Sequence, residues 1–390
     1  MPDPEMLTPE FEKMLHQERV FATVNLDNIH YNIRHVREAI PKKTKIMAVI
    51  KADGYGHGAV RIAQELSTVD AVWGYAVATI DEALDIIEQG IGKPVLILGY
   101  TFPSTIPLAV EYGIRISLFD MESARLLSET AQRSKRKALV HIKLDTGMGR
   151  IGIQPDKEGL DFVKCVHDMP GIEIEGIFTH FARADEYDKT PSKEQFSRYT
   201  SFIDTLHEEG IDIPLKHCAN SASIMELPYT HLDLVRSGII TYGLLPSDEV
   251  DESRIKLKPA MEIKSSVIHV KDVPAGTPIS YGGTFITSHP SRIATLSVGY
   301  ADGYPRCLSD KGCVLLYGKR YPVVGRVCMD QMMVDVTGND LVKPGDLATL
   351  VGCDGDECIT MEEFAEKSGR INYEAVCDIG KRVPRVYIRN

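Results

Sequence analysis

The fold is decided around residues 46–58, which read IMAVIKADGYGHG. Five consecutive apolar residues followed by a glycine-rich segment predict a buried strand and the turn that leaves it. Lys51 stands at the junction, where an ammonium group is costly unless it is paired, neutral or chemically used. The ordinary interpretation is a lysine that extends from the strand end into solvent. The alternative is a desolvated lysine that forms a Schiff base with a carbonyl cofactor, and residues further along the chain favour it.

Short apolar runs and helical patterns alternate around this strand, from residue 20 to about residue 245. The predicted strands lie at residues 45–50, 73–77, 94–99, 114–118, 138–144, 173–178, 214–218 and 233–239. Eight strands that alternate with helices predict a parallel sheet closed into a (β/α)8 TIM-type barrel. A doubly wound open sheet is the alternative, but no Gly-x-Gly-x-x-Gly segment follows an early strand.

Capping-box patterns predict where three of the helices begin. They are Thr79-x-x-Glu82, Ser192-x-x-Gln195 and Thr360-x-x-Glu363. The last of these marks the one clear helix after about Lys258, where the pattern becomes mainly strand-like. Strand runs are predicted there at residues 261–273, 293–298, 312–317, 321–336 and 347–351. We therefore expect an N-terminal extension at residues 1–18, a barrel at 19–257 and a mainly β domain at 258–390.

The composition of the 390-residue chain is that of a globular protein, with 43% hydrophobic and 25% charged residues. The net charge of -11 argues against nucleic acid as a partner, and no apolar run is long enough to span a membrane. Without an export signal we expect a cytoplasmic location and eight free cysteines. No Cys-x-x-Cys pair occurs, so we expect no metal site, even at Cys353 and Cys358.

Barrel enzymes carry their catalytic groups at the C-terminal ends of the strands. The candidates at these positions are Lys51 after the first strand, Arg150 after the fifth, His180 after the sixth, Asn220 and Ser221 after the seventh, and Arg236 and Gly238 at the eighth. Loops after the seventh and eighth strands often bind phosphate. A phosphate site near a strand-end lysine suits pyridoxal 5'-phosphate.

Residues 48–58, AVIKADGYGHG, resemble the cofactor-attachment motif of the alanine racemase family, which are pyridoxal-phosphate enzymes of fold type III. The resemblance extends over about residues 19–390 and implies that Lys51 binds the cofactor covalently. It also implies the residues that hold the cofactor phosphate: Tyr55, Ser221, Tyr373 and the backbones of Gly238 and Ile239. Asn220 stands beside Ser221 at the end of the seventh strand. His180 would lie against the ring, and Arg236 would face the ring nitrogen with His217 behind it.

An arginine at the ring nitrogen has a chemical consequence. Because Arg236 keeps its proton, the ring nitrogen does not readily gain one, and the ring withdraws electrons less strongly. Side reactions such as transamination are then limited. This suits an enzyme that removes and returns a single α-proton.

Racemisation requires an acid/base group on each face of the substrate, and Lys51 can serve only one. The segment ISYGGTF, residues 279–285, is similar to the family's catalytic-tyrosine motif and implies Tyr281 as the second base. In the family this tyrosine comes from a neighbouring subunit, so the resemblance implies a homodimer with shared active sites. It further implies that Arg150, Met329 and Asp330 contact the amino-acid substrate and that Tyr300 narrows the entrance.

The resemblance also marks Lys143, which matches a lysine that is carbamylated in many relatives. Two positions depart from the family pattern: Ser237 stands where relatives often have proline, and Thr241 replaces a commonly apolar residue. We expect interconversion of L- and D-alanine, an isomerase activity that supplies D-alanine for peptidoglycan. The alternatives are a broader racemase for serine, lysine or arginine, a pyridoxal-phosphate-dependent decarboxylase, and a barrel that binds the cofactor without catalysis.

Overall fold

A computed structural model of the chain describes residues 19–389, so the expected N-terminal extension at residues 1–18 lies outside the described residues. The described residues divide into two compact units. Residues 28–258 form the barrel unit, and residues 19–27 together with 259–389 form the β unit. Within residues 19–389, no helix has the length and apolar character needed to cross a membrane.

The first part of the chain alternates strands and helices. In order, its elements are β1 (Val20–Asn25), α1 (Leu26–Ala39), β2 (Lys45–Val49), a helical turn at Lys51–Tyr55, α2 (Ala59–Ser67), β3 (Val72–Val77), α3 (Ile80–Glu88), β4 (Val95–Ile97), α4 (Ile106–Tyr112), β5 (Arg115–Leu118), α5 (Met121–Ser134), β6 (Ala138–Lys143), α6 (Lys157–His167), β7 (Ile172–Phe178), α7 (Thr190–Glu208), β8 (Leu215–His217), α8 (Ser221–Glu226) and β9 (Leu234–Ser237).

The eight strands β2 to β9 form one parallel sheet, in the order β8-β7-β6-β5-β4-β3-β2-β9. Backbone hydrogen bonds also join the two ends of this order, from Asp233 N–H to Lys216 O at 3.2 Å and from Arg236 N–H to Ala219 O at 3.0 Å. The predicted barrel is therefore confirmed, with all eight strands within two residues of their expected bounds. Because the strands are parallel, their C-terminal ends meet at one face of the barrel.

Helix α3 begins after Thr79 as predicted, whereas the predicted start of α7 is wrong. The hydroxyl of Thr79 accepts a hydrogen bond from the Glu82 N–H at 3.4 Å. Helix α7 instead begins two residues before Ser192, with Pro191 in its first turn. Proline is favoured in the first turn of a helix, because an N–H group at that position has no hydrogen-bond partner within the helix and its absence costs nothing. Ser192 and Gln195 are therefore inside the helix and buried.

The β unit follows the barrel in sequence. Its elements are β10 (Met261–Val273), β11 (Pro278–Ile279), β12 (Phe285–Ile286), β13 (Ser291–Leu296), β14 (Cys313–Leu316), β15 (Lys319–Pro322), β16 (Met332–Asp335), β17 (Leu347–Asp354), β18 (Glu357–Ile359), α9 (Met361–Lys367), α10 (Asn372–Cys377) and β19 (Arg385–Ile388). The main sheet runs β15-β14-β17-β10-β1-β19, with β13 and β16 continuing from β10 and β18 pairing with β17.

Strand β1 belongs to this sheet, whereas the sequence prediction assigned residues 19–27 to the barrel. It pairs antiparallel with β10 and parallel with β19. The reason is that β2 to β9 already supply the eight strands of the barrel. The first strand of the chain therefore pairs with strands more than 200 residues away in sequence.

Three further details of the β unit differ from expectation. The run predicted at residues 321–336 is two short strands, β15 and β16, separated by turns, and α10 is a second helix that the pattern did not indicate. Cys353 and Cys358 form a disulfide, so the expectation of eight free thiols is wrong for this pair. They are direct partners across the β17–β18 hairpin, with Cα atoms 4.1 Å apart.

Candidate functional site

Lys51 lies at the C-terminal end of β2 and opens a turn with unusual backbone geometry. The next four residues, 52–55, have φ angles of 52°, 52°, 62° and 51°, in the left-handed region. Three of them are not glycine, and each left-handed non-glycine residue costs about 1–2 kcal/mol. Backbone hydrogen bonds stabilise the turn, from Gly54 N–H to Ile50 O at 2.8 Å and from Gly56 N–H to Ala52 O at 2.9 Å.

Tyr55, Ser221 and Gly238 come together from three different strand ends, and we call this group the hydroxyl cluster. The Gly238 N–H donates to Ser221 Oγ at 3.0 Å. A Cβ on Gly238 would lie 3.1 Å from the Tyr55 hydroxyl oxygen and 3.3 Å from Ser221 Oγ. Only glycine leaves this space open, and hydroxyl and N–H donors around such a space suit a phosphate group.

Two neighbours of the hydroxyl cluster were also predicted at the site. The Asn220 side chain caps α8, since its Oδ1 accepts from the Ser223 N–H at 3.0 Å and from the Ser223 hydroxyl at 2.8 Å. Asn220 therefore acts on the backbone that carries Ser221. Ile239 is fully buried and begins a short 3-10 turn that continues from Gly238.

Arg236 is buried at the end of β9 and makes hydrogen bonds in several directions. One Nη contacts His217 Nδ1 at 3.0 Å; the other donates to Thr179 O at 2.8 Å and to Cys218 O at 3.0 Å, and lies 3.2 Å from His180 Nδ1. Burial lowers the pKa of Arg236 to about 10, so it remains a cation at neutral pH. Burial and the Arg236 charge hold the pKa of both His180 and His217 well below the usual value, so both are neutral.

A buried hydrogen-bond chain extends from Arg236 to a carboxylate that sequence reasoning missed. His217 Nε2 lies 2.9 Å from His141 Nδ1, and His141 Nε2 lies 3.0 Å from Glu175. Arg115 holds the two Glu175 oxygens through two donors, at 3.0 and 2.9 Å. The alternation of Ile172, Glu173, Ile174 and Glu175 was the available signal, because it places acidic residues on one face of a barrel strand.

The direction of every hydrogen bond in this chain follows from its two ends. Burial opposes ionisation of Glu175, but hydrogen bonds from His141 and Arg115 lower its pKa to about 2. As a carboxylate it only accepts, so His141 donates from Nε2 and accepts at Nδ1. His217 must then donate from Nε2, which leaves its Nδ1 to accept from Arg236. The chain fixes one tautomer for each histidine and orients the guanidinium.

Lys143 is the last residue of β6, and Arg150 lies in the loop that follows this strand. Lys143 is buried, its Nζ donates to Leu144 O at 2.6 Å, and burial together with the Arg236 charge lowers its pKa to about 7. Arg150 is exposed on a loop that Asp145 braces by accepting the N–H groups of residues 147, 148 and 149. The Arg150 charge contributes to the lowered pKa of both His180 and Lys143.

In the β unit, Tyr281, Met329 and Asp330 line one open cleft of about 650 Å³. Tyr281 is 70% exposed. The Tyr300 N–H donates to Cys328 O at 3.0 Å, which joins the Tyr300 turn to the same segment. Tyr373 is the second residue of α10 and does not line the cleft.

The Tyr300 turn is anchored by a buried acidic residue, Asp302, that sequence reasoning also missed. Its carboxylate accepts from Arg19 at 2.7 and 2.6 Å and from the Gly299 N–H at 2.9 Å. Arg382 lies 3.1 Å from Asp302 and also donates to Asp330 at 2.6 Å. The ion-pair network therefore fixes the Tyr300 turn and the Asp330 side of the cleft together.

Comparison with known proteins places both units in one family. Residues 24–246 match the alanine racemase N-terminal domain, and residues 260–387 match the alanine racemase C-terminal domain. The chain is 49% identical over 372 residues to the alanine racemase of Desulforamulus reducens, covering 95% of this chain and 100% of the relative. It is 47% identical over 369 residues to that of Methanococcus maripaludis, covering 95% and 98%.

Solved structures agree with these relatives. Alanine racemase from Clostridium difficile 630 is 41% identical, with a TM-score of 0.92 over 95% of this chain and 96% of that chain. Alanine racemase from Bacillus anthracis, solved with bound L-Ala-P, is 39% identical, with a TM-score of 0.90 over 96% of each chain. The chain belongs to the alanine racemase family.

Proposed function

We propose that this protein interconverts L- and D-alanine as a pyridoxal-phosphate-dependent isomerase. The observation that carries the proposal is the arrangement at one face of the barrel. There, a strand-end lysine, the hydroxyl cluster and the buried Arg236 cation lie at the ends of strands β2, β8 and β9, which are neighbours in the sheet. The full-length similarity to alanine racemases supports alanine as the substrate.

The residues of this chain fit pyridoxal 5'-phosphate, the cofactor of the family. The space that Gly238 leaves open, between two hydroxyl groups, supports a phosphate site there. Lys51 would bind the cofactor covalently, Tyr55, Ser221, Tyr373 and the backbones of Gly238 and Ile239 would hold the phosphate with Asn220 supporting them, and His180 would pack against the ring. When bound, the cofactor withdraws electrons from the substrate so that the α-proton becomes acidic.

Arg236 limits the reaction to proton transfer. Because its guanidinium stays protonated, Arg236 would donate a hydrogen bond to the ring nitrogen of the bound cofactor and would not supply a proton to it. The Glu175 chain supports this assignment, since it holds the guanidinium through His217 in one orientation. Reactions that need a fully protonated ring are thereby suppressed.

Two bases move the α-proton. Lys51 Nζ removes or returns it on the D side, and the Tyr281 oxygen does so on the L side. Arg150 and the Met329 N–H orient the substrate carboxylate, with Asp330 beside them and Tyr300 at the entrance. These roles are carried over from the family, position by position.

The proposed active unit is a homodimer in which Tyr281 serves the barrel of the partner subunit. The high exposure of Tyr281 and the open cleft around it support a site that a second copy completes. We place the reaction in the cytoplasm, where its product would supply peptidoglycan synthesis.

A substrate panel tests the proposal. Purified protein supplied with pyridoxal phosphate is incubated separately with L-alanine, L-serine, L-lysine and L-arginine, and both enantiomers and carbon dioxide are measured. We expect D-alanine to form fastest. Faster racemisation of another amino acid would indicate the broader racemase, release of carbon dioxide the decarboxylase, and no turnover the non-catalytic barrel.

A further inference from the structure

The Glu82 carboxylate joins the backbones that follow two neighbouring barrel strands. One oxygen accepts from the Ala52 N–H at 2.6 Å, and the other accepts from the Ala78 N–H at 2.7 Å. Ala78 directly follows β3, and Ala52 directly follows Lys51. In an ordinary capping box this carboxylate would turn back to the N–H of its own capping residue, Thr79. Here it bridges to a different strand end instead.

The bond to Ala52 acts on Lys51 through their shared peptide. The peptide unit is planar, so fixing the direction of the Ala52 N–H fixes the rotation of the backbone on the C-terminal side of Lys51. Ala52 is exposed and is the first residue of the left-handed turn, where packing does little to hold it. A charge-assisted hydrogen bond is the strongest contact of this kind that a backbone N–H makes.

We propose that Glu82 is a positioning residue that holds Lys51 in the orientation in which it reacts with its cofactor. The inference rests on the proposed function of Lys51. Glu82 lies in helix α3 and not at a strand end, so the proposal adds a helix residue to the candidate site.

The left-handed turn makes it possible to distinguish an effect on Lys51 from a general loss of structure. Its far end, Tyr55, is buried, and its ring lies 5.1 Å from that of Tyr242. The hydroxyl cluster therefore has its own support. Loss of Glu82 should disturb Lys51 while phosphate binding persists.

The test compares two measurements on protein freed of cofactor. The first is the rate at which pyridoxal phosphate becomes attached to Lys51, followed by borohydride reduction and peptide mass. The second is the affinity for pyridoxine 5'-phosphate, which has the phosphate but no carbonyl to react. The variants are Glu82→Ala and Glu82→Gln, and the matched control is Glu88→Gln, an exposed carboxylate on the same helix.

We expect Glu82→Ala to slow attachment by about tenfold or more, because a hydrogen bond to a charged group is lost. Glu82→Gln should lie between Glu82→Ala and wild type, since an amide has one acceptor oxygen instead of two. Pyridoxine phosphate affinity should change less than about twofold in all variants.

Attachment to Glu82→Ala at the control rate would overturn the proposal. So would a parallel loss of pyridoxine phosphate affinity, because that would indicate a general structural role. If Glu82→Ala does not fold, Glu82→Gln decides by the same two measurements. Wild-type protein that never attaches the cofactor at Lys51 would instead overturn the proposed function.

Discussion

At the scale of single residues, one carboxylate sets the direction of a buried chain of hydrogen bonds that ends at Arg236. Glu175 has a pKa of about 2, lowered from its ordinary value by donors from His141 and Arg115 that outweigh its burial. Because its pKa is lower in the folded than in the unfolded state, ionised Glu175 stabilises the fold. That stabilisation is complete above the unfolded pKa of about 4.5 and is lost as the pH falls toward 2.

The pH dependence of the free energy of unfolding tests the role of ionised Glu175. Glu175→Gln should lower the free energy of unfolding by about 1–3 kcal/mol at pH 7, since the charged hydrogen bonds are weakened. The difference from wild type should shrink as the pH falls below about 4.5. Urea unfolding at several pH values measures it, with Glu173→Gln on the same strand as control. A difference that stays constant with pH would refute the assignment.

Lys143 offers a second prediction at this scale. With a pKa of about 7, much of its amine is neutral at pH 7–8 and can react with dissolved carbon dioxide. We expect a carbamate signal in 13C NMR after incubation with 13C-bicarbonate. The signal should be absent from Lys143→Met. Its persistence in that variant would assign the carbamate to a different group.

At the scale of elements, the two departures from the family pattern lie at the end of β9 and in the turn after it, and they contact each other. Ser237 Oγ lies 2.8 Å from Thr241 Oγ1, and Thr241 Oγ1 donates to Ser237 O at 3.1 Å. Both side chains are fully buried. The pair closes the turn that carries Gly238 and Ile239.

A double-mutant cycle tests whether the two hydroxyls act as a pair. Ser237→Ala should destabilise the protein by about 0.5–1.5 kcal/mol, because one hydrogen bond is lost while the Thr241 hydroxyl still donates to Ser237 O. Thr241→Val should cost about 1–3 kcal/mol, because it leaves the buried Ser237 hydroxyl and carbonyl without their partner. The double variant should be more stable than the sum of the single losses by at least about 0.5 kcal/mol. Urea unfolding of the four proteins measures this, and strict additivity would show that the hydroxyls act independently.

The elements also show where sequence patterns were sufficient. The strands of the barrel were predictable because each is a buried apolar run between turn signals. The start of α7 was missed because Pro191 outweighed the Ser192 capping pattern. The left-handed turn was only partly predictable: its glycines indicated a turn, but nothing local shows that Ala52, Asp53 and Tyr55 also adopt positive φ. Glu82, about 30 residues away, supplies part of the reason.

At the scale of the whole molecule, the candidate residues are divided between the two units. Lys51, Arg236 and the hydroxyl cluster belong to the barrel unit, while Tyr281 and its cleft belong to the β unit. Local patterns predicted both sets but not the pairing of β1 with β10 and β19. That pairing depends on which strands are not part of the barrel, and a local sequence pattern does not contain this information.

Subunit mixing tests the proposed dimer. The Lys51→Ala and Tyr281→Phe variants should each show little or no racemisation of alanine. If Tyr281 acts in the partner's barrel, a mixed dimer contains one intact site and one doubly defective site. Random mixing of equal amounts should then restore about a quarter of wild-type activity. No recovery, in subunits shown by mass to have exchanged, would contradict a shared site.

The most direct test of the central claim follows the α-proton of alanine in D2O. With wild-type protein, L-alanine and D-alanine should each give both enantiomers carrying deuterium at the α-carbon. With Tyr281→Phe, exchange that starts from L-alanine should fall more than exchange that starts from D-alanine, because Lys51 still serves the D side. Equal, mild losses in both directions, or alanine that keeps its proton in the wild type, would contradict the two-base account.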